Sequence, residues 1–382
     1  MASEGPNIRD EGPKGPEELT IGEKYWKEQY DWLLDAGYRL RSRYKADWEP
    51  SWAGTNWNPY DCEDAQKSWF NTVNFAIRVE TGRFVTLKQV DRVKHPDEAP
   101  LMLYLMEEDL LKDPNNHVVP LINVLQHPED PNTCFLVLPL LRDFDDPEFQ
   151  TMGEAIDFIS QFFTGVQFLH QHGVSHGDLS INNILMDAHG MFPDDFHPCY
   201  PIMKADWSGR AKPGKTRTEK PPKYYLIDYG QSERFYEDET PVTEHIGTDD
   251  TVPEYEDESQ VTNPFFVDVY CAGNMIKYEF LDGDPQRIGR TGYHGFEFLR
   301  SLIDDMTRQN STERPTMPEV VKRFDEAVKT LSTATLRSRC IKKRGATAQY
   351  DEPWPLLVVA SVHHWYKKIT YIVRRLPAVP QS

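Results

Sequence analysis

The spacing of hydrophobic positions changes along the chain. Trp26, Tyr30, Leu33 and Leu34 recur at helical intervals, and Gly37 closes that helix. A stretch rich in Trp and Pro, through Trp57 and Pro59, then reads as an ordered strap on a domain surface. From Val73 apolar and polar residues alternate to Val79; a Thr81-Gly82 turn and a second alternating run, Phe84 to Val90, make this a β-hairpin. After His95-Pro96, the residues Leu101, Met102 and Leu105 share one helix face, and His117 to Leu125 and Cys134 to Leu138 are expected as two more strands. Beyond Met152 the period is mostly helical. Ile156, Ile159, Phe162, Phe163, Val166, Phe168 and Leu169 mark a long buried helix ending near Gly173. Two short strands, 183–186 and 224–227, precede helices that run to about Leu331. A β-rich lobe followed by an α-rich lobe is an α+β architecture, and no solenoid-length repeat competes with it.

Composition narrows the classes. With 382 residues and 39% hydrophobic content the chain can bury one large core or two lobes sharing a cleft. The net charge of −19 argues against a nucleic-acid-binding body, which needs clustered Lys and Arg. The charge is uneven: Lys322 to Ser382 holds 12 Lys and Arg against 4 Asp and Glu, a +8 tail expected to fold against an acidic body. Five widely spaced cysteines without a CxxC pair suit a reducing compartment and imply no structural zinc. The first 19 residues, rich in Pro, Gly and Glu, read as a disordered lead-in. No secretory leader or transmembrane run is apparent. The expectation is a soluble intracellular protein of cytoplasm or nucleus, of undetermined oligomeric state.

The strongest chemical signal is His176-Gly-Asp178-Leu-Ser-Ile-Asn-Asn183-Ile-Leu185, after the long helix and opening a short strand. Phosphoryl transfer needs a carboxylate beside the acceptor hydroxyl and, here five residues on, a neutral oxygen ligand for a metal. Asp178 is the candidate base and Asn183 the candidate ligand. A second signal is Tyr224-Tyr-Leu-Ile-Asp228-Tyr-Gly230, a buried strand ending in a carboxylate suited to Mg²⁺, with Gly230 letting the chain turn away. Third, Lys88 in the second strand of the hairpin can aim an ammonium at phosphates.

In the order Lys88, His176-Gly-Asp178, Asp228-Tyr-Gly230, residues from about 70 to 330 resemble the protein-kinase superfamily. Thr251-Val-Pro-Glu254 looks like the APE motif, Asp268-Val-Tyr-Cys-Ala-Gly273 like the DVWxxG helix start, and Arg314-Pro-Thr-Met like the RPT segment. The resemblance implies a bilobal kinase fold using ATP and Mg²⁺ on a protein substrate. It also implies a buried Glu254–Arg314 ion pair and an Asp268 that holds the catalytic loop around His176. More narrowly, the chain resembles the fungal-type protein kinases through Tyr25-Trp26, Gly37-Tyr-Arg-Leu-Arg-Ser-Arg-Tyr44, Asp113-Pro-Asn-Asn-His-Val-Val-Pro120, Val137-Leu-Pro-Leu-Leu141 and Phe296-Glu-Phe-Leu299. The implied organisation is a lead-in (1–19), a family-specific helix and strap (20–72) and an N-lobe with hinge (73–141). A C-lobe (142–331) with an insertion at about 187–222 and a basic extension (332–382) complete it. Leu138, Pro139 and Leu141 resemble the lobe-joining segment. There adenine would use a backbone carbonyl and the Leu141 N–H, with Leu138 behind the pocket and Leu185 under the ring; Pro139 forgoes only an N–H that adenine does not need.

The pattern also departs from the family. The three positions of the glycine-rich loop fall on Gln66, Ser68 and Asn71, none of which permits the close backbone approach of glycine. Gly177 stands where the family has Arg, so switching by loop phosphorylation is not expected. Ser180 replaces a Lys common in Ser/Thr kinases; Ser or Thr is still the acceptor expected ahead of Tyr. Lys88 is assigned Glu98 as its partner, because Pro100 belongs in a first helical turn, although Glu107 and Glu108 fit the usual separation better. The insertion is expected to be a packed surface excursion. The acidic segment 232–251 favours a basic protein substrate. An active protein kinase is the leading reading; a pseudokinase scaffold and a small-molecule phosphotransferase are the competitors.

Overall fold

The computed structural model describes residues 15–244, 246–256, 262–287, 289–343 and 354–381, and these divide into two compact units. Residues 1–14 of the expected lead-in lie outside the described residues. Residues 15–19 are ordered, contrary to expectation: Lys67 Nζ donates to Gly15 O (3.0 Å), and Thr20 caps the following helix reciprocally with Glu23.

The β-rich unit comprises residues up to 91 together with 121–140 and 194–212. Helices α1 (Ile21–Glu28) and α2 (Tyr30–Asp35) replace the single helix expected from the Trp26–Leu34 periodicity, with Gln29 capping both. Five antiparallel strands follow, β1 (Tyr38–Leu40), β2 (Val73–Arg78), β3 (Arg83–Asp91), β4 (Asn123–Gln126) and β5 (Thr133–Pro139), in the order β1-β2-β3-β5-β4. The β2–β3 turn uses Gly82 at φ 68°, where a side chain would be strained. Trp26, Leu33, Leu40, Ala76, Leu87 and Phe135 form the core under this sheet. The expected strand from His117 to Leu125 is confined to Asn123–Gln126, because Pro120 cannot donate to a ladder.

The α-rich unit comprises 92–120, 141–193 and 213 onward. Its elements are α3 (Glu98–Leu105), α4 (Glu108–Leu111), β6 (Arg142–Asp143), α5 (Met152–Gln171), β7 (Val174–Ser175), β8 (Ile184–Met186), β9 (Tyr224–Leu226) and β10 (Glu233–Arg234). There follow α6 (Pro264–Ile276), α7 (Arg300–Met306), α8 (Met317–Lys329), α9 (Thr333–Leu336) and α10 (Trp354–Val373). Strands β6-β8-β9 form one small sheet and β10-β7 another. Helix α5 is buried along most of its length and carries the unit. The basic tail returns to this unit: Tyr371 Oη donates to Thr216 Oγ1 (2.8 Å), Arg374 pairs with Glu219, and Arg337 donates to Leu376 O (2.5 Å). The 187–222 insertion has no regular helix or strand, yet Met191, Phe192, Phe196, Cys199 and Arg217 are buried. Among the described residues no helix is long and apolar enough to cross a membrane.

Asp157 is buried on α5, and burial pushes its carboxyl up to about 7, against the smaller opposing effect of Gln161 Nε2, which donates to Oδ2 at 3.1 Å. The folded chain therefore holds this proton more tightly than the unfolded chain does. Its contribution to stability is complete below the ordinary value of 3.8 and is lost as pH rises through about 7. Buried His117, held down to about 4, acts in the opposite direction, losing stability as pH falls below 6.5. The difference between wild type and Asp157→Asn isolates the carboxyl. The variant should gain stability relative to wild type between pH 5 and pH 8 in urea unfolding, and a constant difference would refute the assignment.

Candidate active site

Between β7 and β8 the chain makes a tight loop whose shape is set by buried polar atoms. Asp268, in the second turn of α6, accepts from His176 N (2.7 Å), Gly177 N (3.0 Å) and His170 Nε2 (2.9 Å), and is itself 1% exposed. Three donors on one buried carboxylate lock the loop to the helix. His176 is fully buried and burial pushes its pKa down, keeping it neutral. It donates from Nε2 to Ile227 O (3.1 Å) and accepts at Nδ1 from Asp178 N (3.3 Å). Gly177 sits at φ 77°, where a Cβ would strike Gln231 O, so the position that the family gives to Arg has no room for one here.

The loop presents Asp178 half-buried. Asn183 Nδ2 donates to its Oδ2 (2.9 Å) and to its backbone O (2.8 Å), while Thr248 N donates to its Oδ1 (2.8 Å). Asn183 therefore points its amide hydrogens at Asp178 and leaves its carbonyl oxygen for another partner. Leu185 follows on β8, paired with Tyr225 of β9. Ile227 N donates to Asn183 O (3.0 Å), so Asp228 emerges directly beside this loop.

The turn after β9 is made by Asp228 at φ 65°, and not by Gly230 as its sequence position suggests. Aspartate tolerates the left-handed region better than most residues. Gly230 instead allows close packing: a Cβ there would lie 3.3 to 3.5 Å from Asp228 Oδ1, His95 Nδ1 and Glu98 Oε2. His95 Nδ1 donates to Gly230 O (2.8 Å). Glu98 opens α3 and is 3% exposed, whereas Glu107 and Glu108 are exposed and Glu108 pairs with Lys112.

Downstream, Glu254 meets Arg314. Oε2 accepts from Nη2 (2.8 Å), and Oε1 lies 2.7 Å from Nη1 without a favourable hydrogen-bond angle. Arg314 also donates to Phe266 O and Arg308 O, both at 2.9 Å. Residues 247–251 are pinned to α6: Asn274 Nδ2 donates to Asp249 Oδ2 (2.7 Å) and Thr251 Oγ1 (2.9 Å), and Tyr270 Oη donates to Thr251 O (2.8 Å). Sequence reasoning missed Gly247 and Thr248. The contact with Asp178 is made by a backbone N–H, which leaves no mark on residue type; the glycine, packed against Gly177 O, was the available signal.

In the β-rich unit, Lys88 lies on β3 opposite Val73 of β2 and Leu136 of β5. Leu138 and Pro139 end β5, and Pro139 O accepts from Thr86 Oγ1 (3.3 Å); Leu141 is nearly buried at the start of the next segment. The glycine-less segment before β2 is braced by side chains. Gln66 Nε2 donates to Tyr60 O and Cys62 O (both 3.0 Å), Ser68 Oγ to Val73 O (2.8 Å), and Asn71 O accepts from Trp26 Nε1 (2.9 Å).

Asn183 Oδ1 and the Asp228 carboxylate are hard oxygen donors of the kind Mg²⁺ takes, and such an ion would complete its shell with phosphates and water. Among the described residues no group of three or more His, Cys, Asp or Glu side chains offers an all-protein site.

A family model described as the protein kinase domain matches residues 69–354. NUAK family SNF1-like kinase 2 of Homo sapiens is 30% identical over 122 residues, 30% of this chain and 19% of that protein. Serine/threonine-protein kinase grp of Drosophila melanogaster is 28% identical over 127 residues, 31% of this chain and 24% of that protein. A light-sensor protein kinase of Ceratodon purpureus is 22% identical over 328 residues, 72% of this chain and 23% of that protein. The chain thus matches about a fifth to a quarter of these relatives' length. Since the family model covers well over half of its residues, the chain belongs to the protein kinase domain family.

Proposed function

We propose that this chain is an active ATP-dependent protein kinase, transferring the γ-phosphoryl group to a protein hydroxyl, Ser or Thr ahead of Tyr, and that it is of the fungal type. The observation that carries the reading is the Asp178 carboxylate, held from two sides by Asn183 Nδ2 and Thr248 N yet still half-exposed. A carboxylate so oriented can accept the proton of an incoming hydroxyl as its oxygen attacks phosphorus. Mg·ATP, when bound, supplies the transferred phosphoryl group and the positive charge that neutralises it. Asn183 and Asp228 would hold the metal, Lys88 the α- and β-phosphates with Glu98 steadying it, and Leu138, Pro139, Leu141 and Leu185 the adenine. His176, Gly230, Asp268, Glu254 and Arg314 act by positioning.

A basic protein substrate suits the ground beside the catalytic loop. There Asn182, Asp249, Asp250, Tyr278 and Glu279 line a groove of about 180 Å³ in the α-rich unit. The specific observation favouring a pseudokinase is the segment at Gln66, Ser68 and Asn71, where no glycine lets the backbone approach phosphates.

Mg²⁺-dependent ATP binding by calorimetry tests the nucleotide site. Asp228→Asn, which removes the charge but keeps the shape, should weaken Mg·ATP by roughly tenfold or more while leaving metal-free nucleotide binding nearly unchanged. Equal loss with and without Mg²⁺ would remove Asp228 from the metal site.

A further inference from the structure

An aromatic feature left unused by this reading lies wholly within the β-rich unit. The strap between β1 and β2, together with Trp207 of the insertion, lines an open groove of about 640 Å³, within the size range of small-molecule sites. Three indoles line it: Trp48, Trp57 and Trp207. Two are fixed by hydrogen bonds, Trp48 Nε1 donating to Asp64 Oδ2 (3.0 Å) and Trp207 Nε1 to Asp61 O (2.9 Å). Trp207 is further backed by the His197 ring at 5.0 Å, and Trp48 by the Arg43 guanidinium at 5.2 Å. Trp57 is 65% exposed, with no role in the core.

The charge of the same wall is one-sided. Glu49, Asp61, Glu63 and Asp64 line the groove and no Lys or Arg does. Glu63 is neutralised by Arg41 Nε (2.6 Å) and receives His197 Nε2 (2.9 Å). The other three have no cationic partner among the described residues: Asp64 takes Ser51 N (2.9 Å), Ser51 Oγ (2.6 Å) and the Trp48 indole, and Asp61 takes the Asn58 amide (3.2 Å). Asp64 is 6% exposed and its carboxylate takes only neutral donors, while Arg43, which pairs with Glu23, donates to its backbone O.

Indole faces attract cations through their quadrupole, most effectively when the cation is weakly hydrated, and nearby carboxylates add to that field. Indole faces supply neither metal ligands nor hydrogen-bond acceptors, so among the cations that Glu49 and Asp61 attract, the three indoles favour one that needs neither. We infer that this groove is a binding site for a quaternary ammonium group, flanked by Trp48, Trp57 and Trp207 and charge-matched by Glu49, Asp61 and Asp64. It shares no residue with the proposed catalytic set and does not depend on kinase activity. The group's chemistry is common to a trimethylated lysine side chain and to free choline.

Calorimetric titration of the full chain with a trimethyllysine peptide, with choline, and with their uncharged tert-butyl isosteres tests this. Saturable binding of a cation, weakened roughly tenfold or more in its isostere, is expected. The tighter of the two cations identifies the source, protein side chain or free small molecule. Trp57→Ala, at an exposed position that leaves folding intact, should weaken binding severalfold, Trp207→Ala should abolish it, and Asp61→Asn should weaken the cation without affecting the isostere. Absence of saturable binding of either cation up to millimolar concentration, equal affinity for the isosteres, or indifference to Trp57→Ala would overturn the inference.

Discussion

Replacing Asp178 by Asn lowers the rate of phosphoryl transfer by roughly 10² to 10⁴-fold, the range over which positioned proton acceptors contribute. The substitution keeps volume and still offers Oδ1 to Thr248 N, so the segment at 247–251 stays in place. It also turns an N–H group toward Asn183 Nδ2, where Asp178 Oδ2 now accepts at 2.9 Å. Two amides cannot donate to each other, so Asn183 must rotate, and a modest weakening of metal affinity accompanies the loss of rate. The loss should therefore be far larger in kcat than in the KM for ATP. Steady-state kinetics separate the two; a fall confined to KM would show that Asp178 serves binding and not proton transfer.

Arg314→Ala is expected to destabilise the α-rich unit by about 3–5 kcal/mol, the cost of leaving a buried carboxylate without its partner. The Arg314 side chain is wholly buried and Glu254 only 12% exposed. The guanidinium also satisfies Phe266 O and Arg308 O and stacks on Tyr270 at 4.9 Å. A lysine cannot reproduce those contacts, so Arg314→Lys should recover only part of the stability. Glu254→Gln combined with Arg314→Met should cost less than the sum of the two changes, because no charge is then stranded. Equilibrium urea unfolding measures all three, and an Arg314→Ala variant within about 1 kcal/mol of wild type would show the pair to be a surface-like bridge.

Much of the architecture was legible because burial imposes a period. The β2–β3 hairpin showed as alternation around Thr81-Gly82, and α5 showed as an apolar series. The reading failed where one residue changes what the backbone can do: Gln29 divides the first helix, and Pro120 shortens the strand expected from His117. In the candidate site, side-chain identities singled out Asp178, Asn183 and Asp228 as candidates, yet the left-handed turn fell to Asp228 in place of Gly230. Thr248 escaped notice because it acts through its backbone. The tryptophan groove joins residues 42–64 to Trp207 across a long stretch of chain, and no local pattern announces such a meeting.

The measurement that bears most directly on catalysis is transfer of the labelled γ-phosphoryl group from ATP to a basic protein substrate by the purified chain, with Mg²⁺ and with a chelator. Mg²⁺-dependent transfer by wild type that Asp178→Asn and Asp228→Asn both lose is the expected result. Tight Mg·ATP binding with no transfer to the protein substrate or to the chain itself would contradict the account and leave a nucleotide-binding pseudokinase.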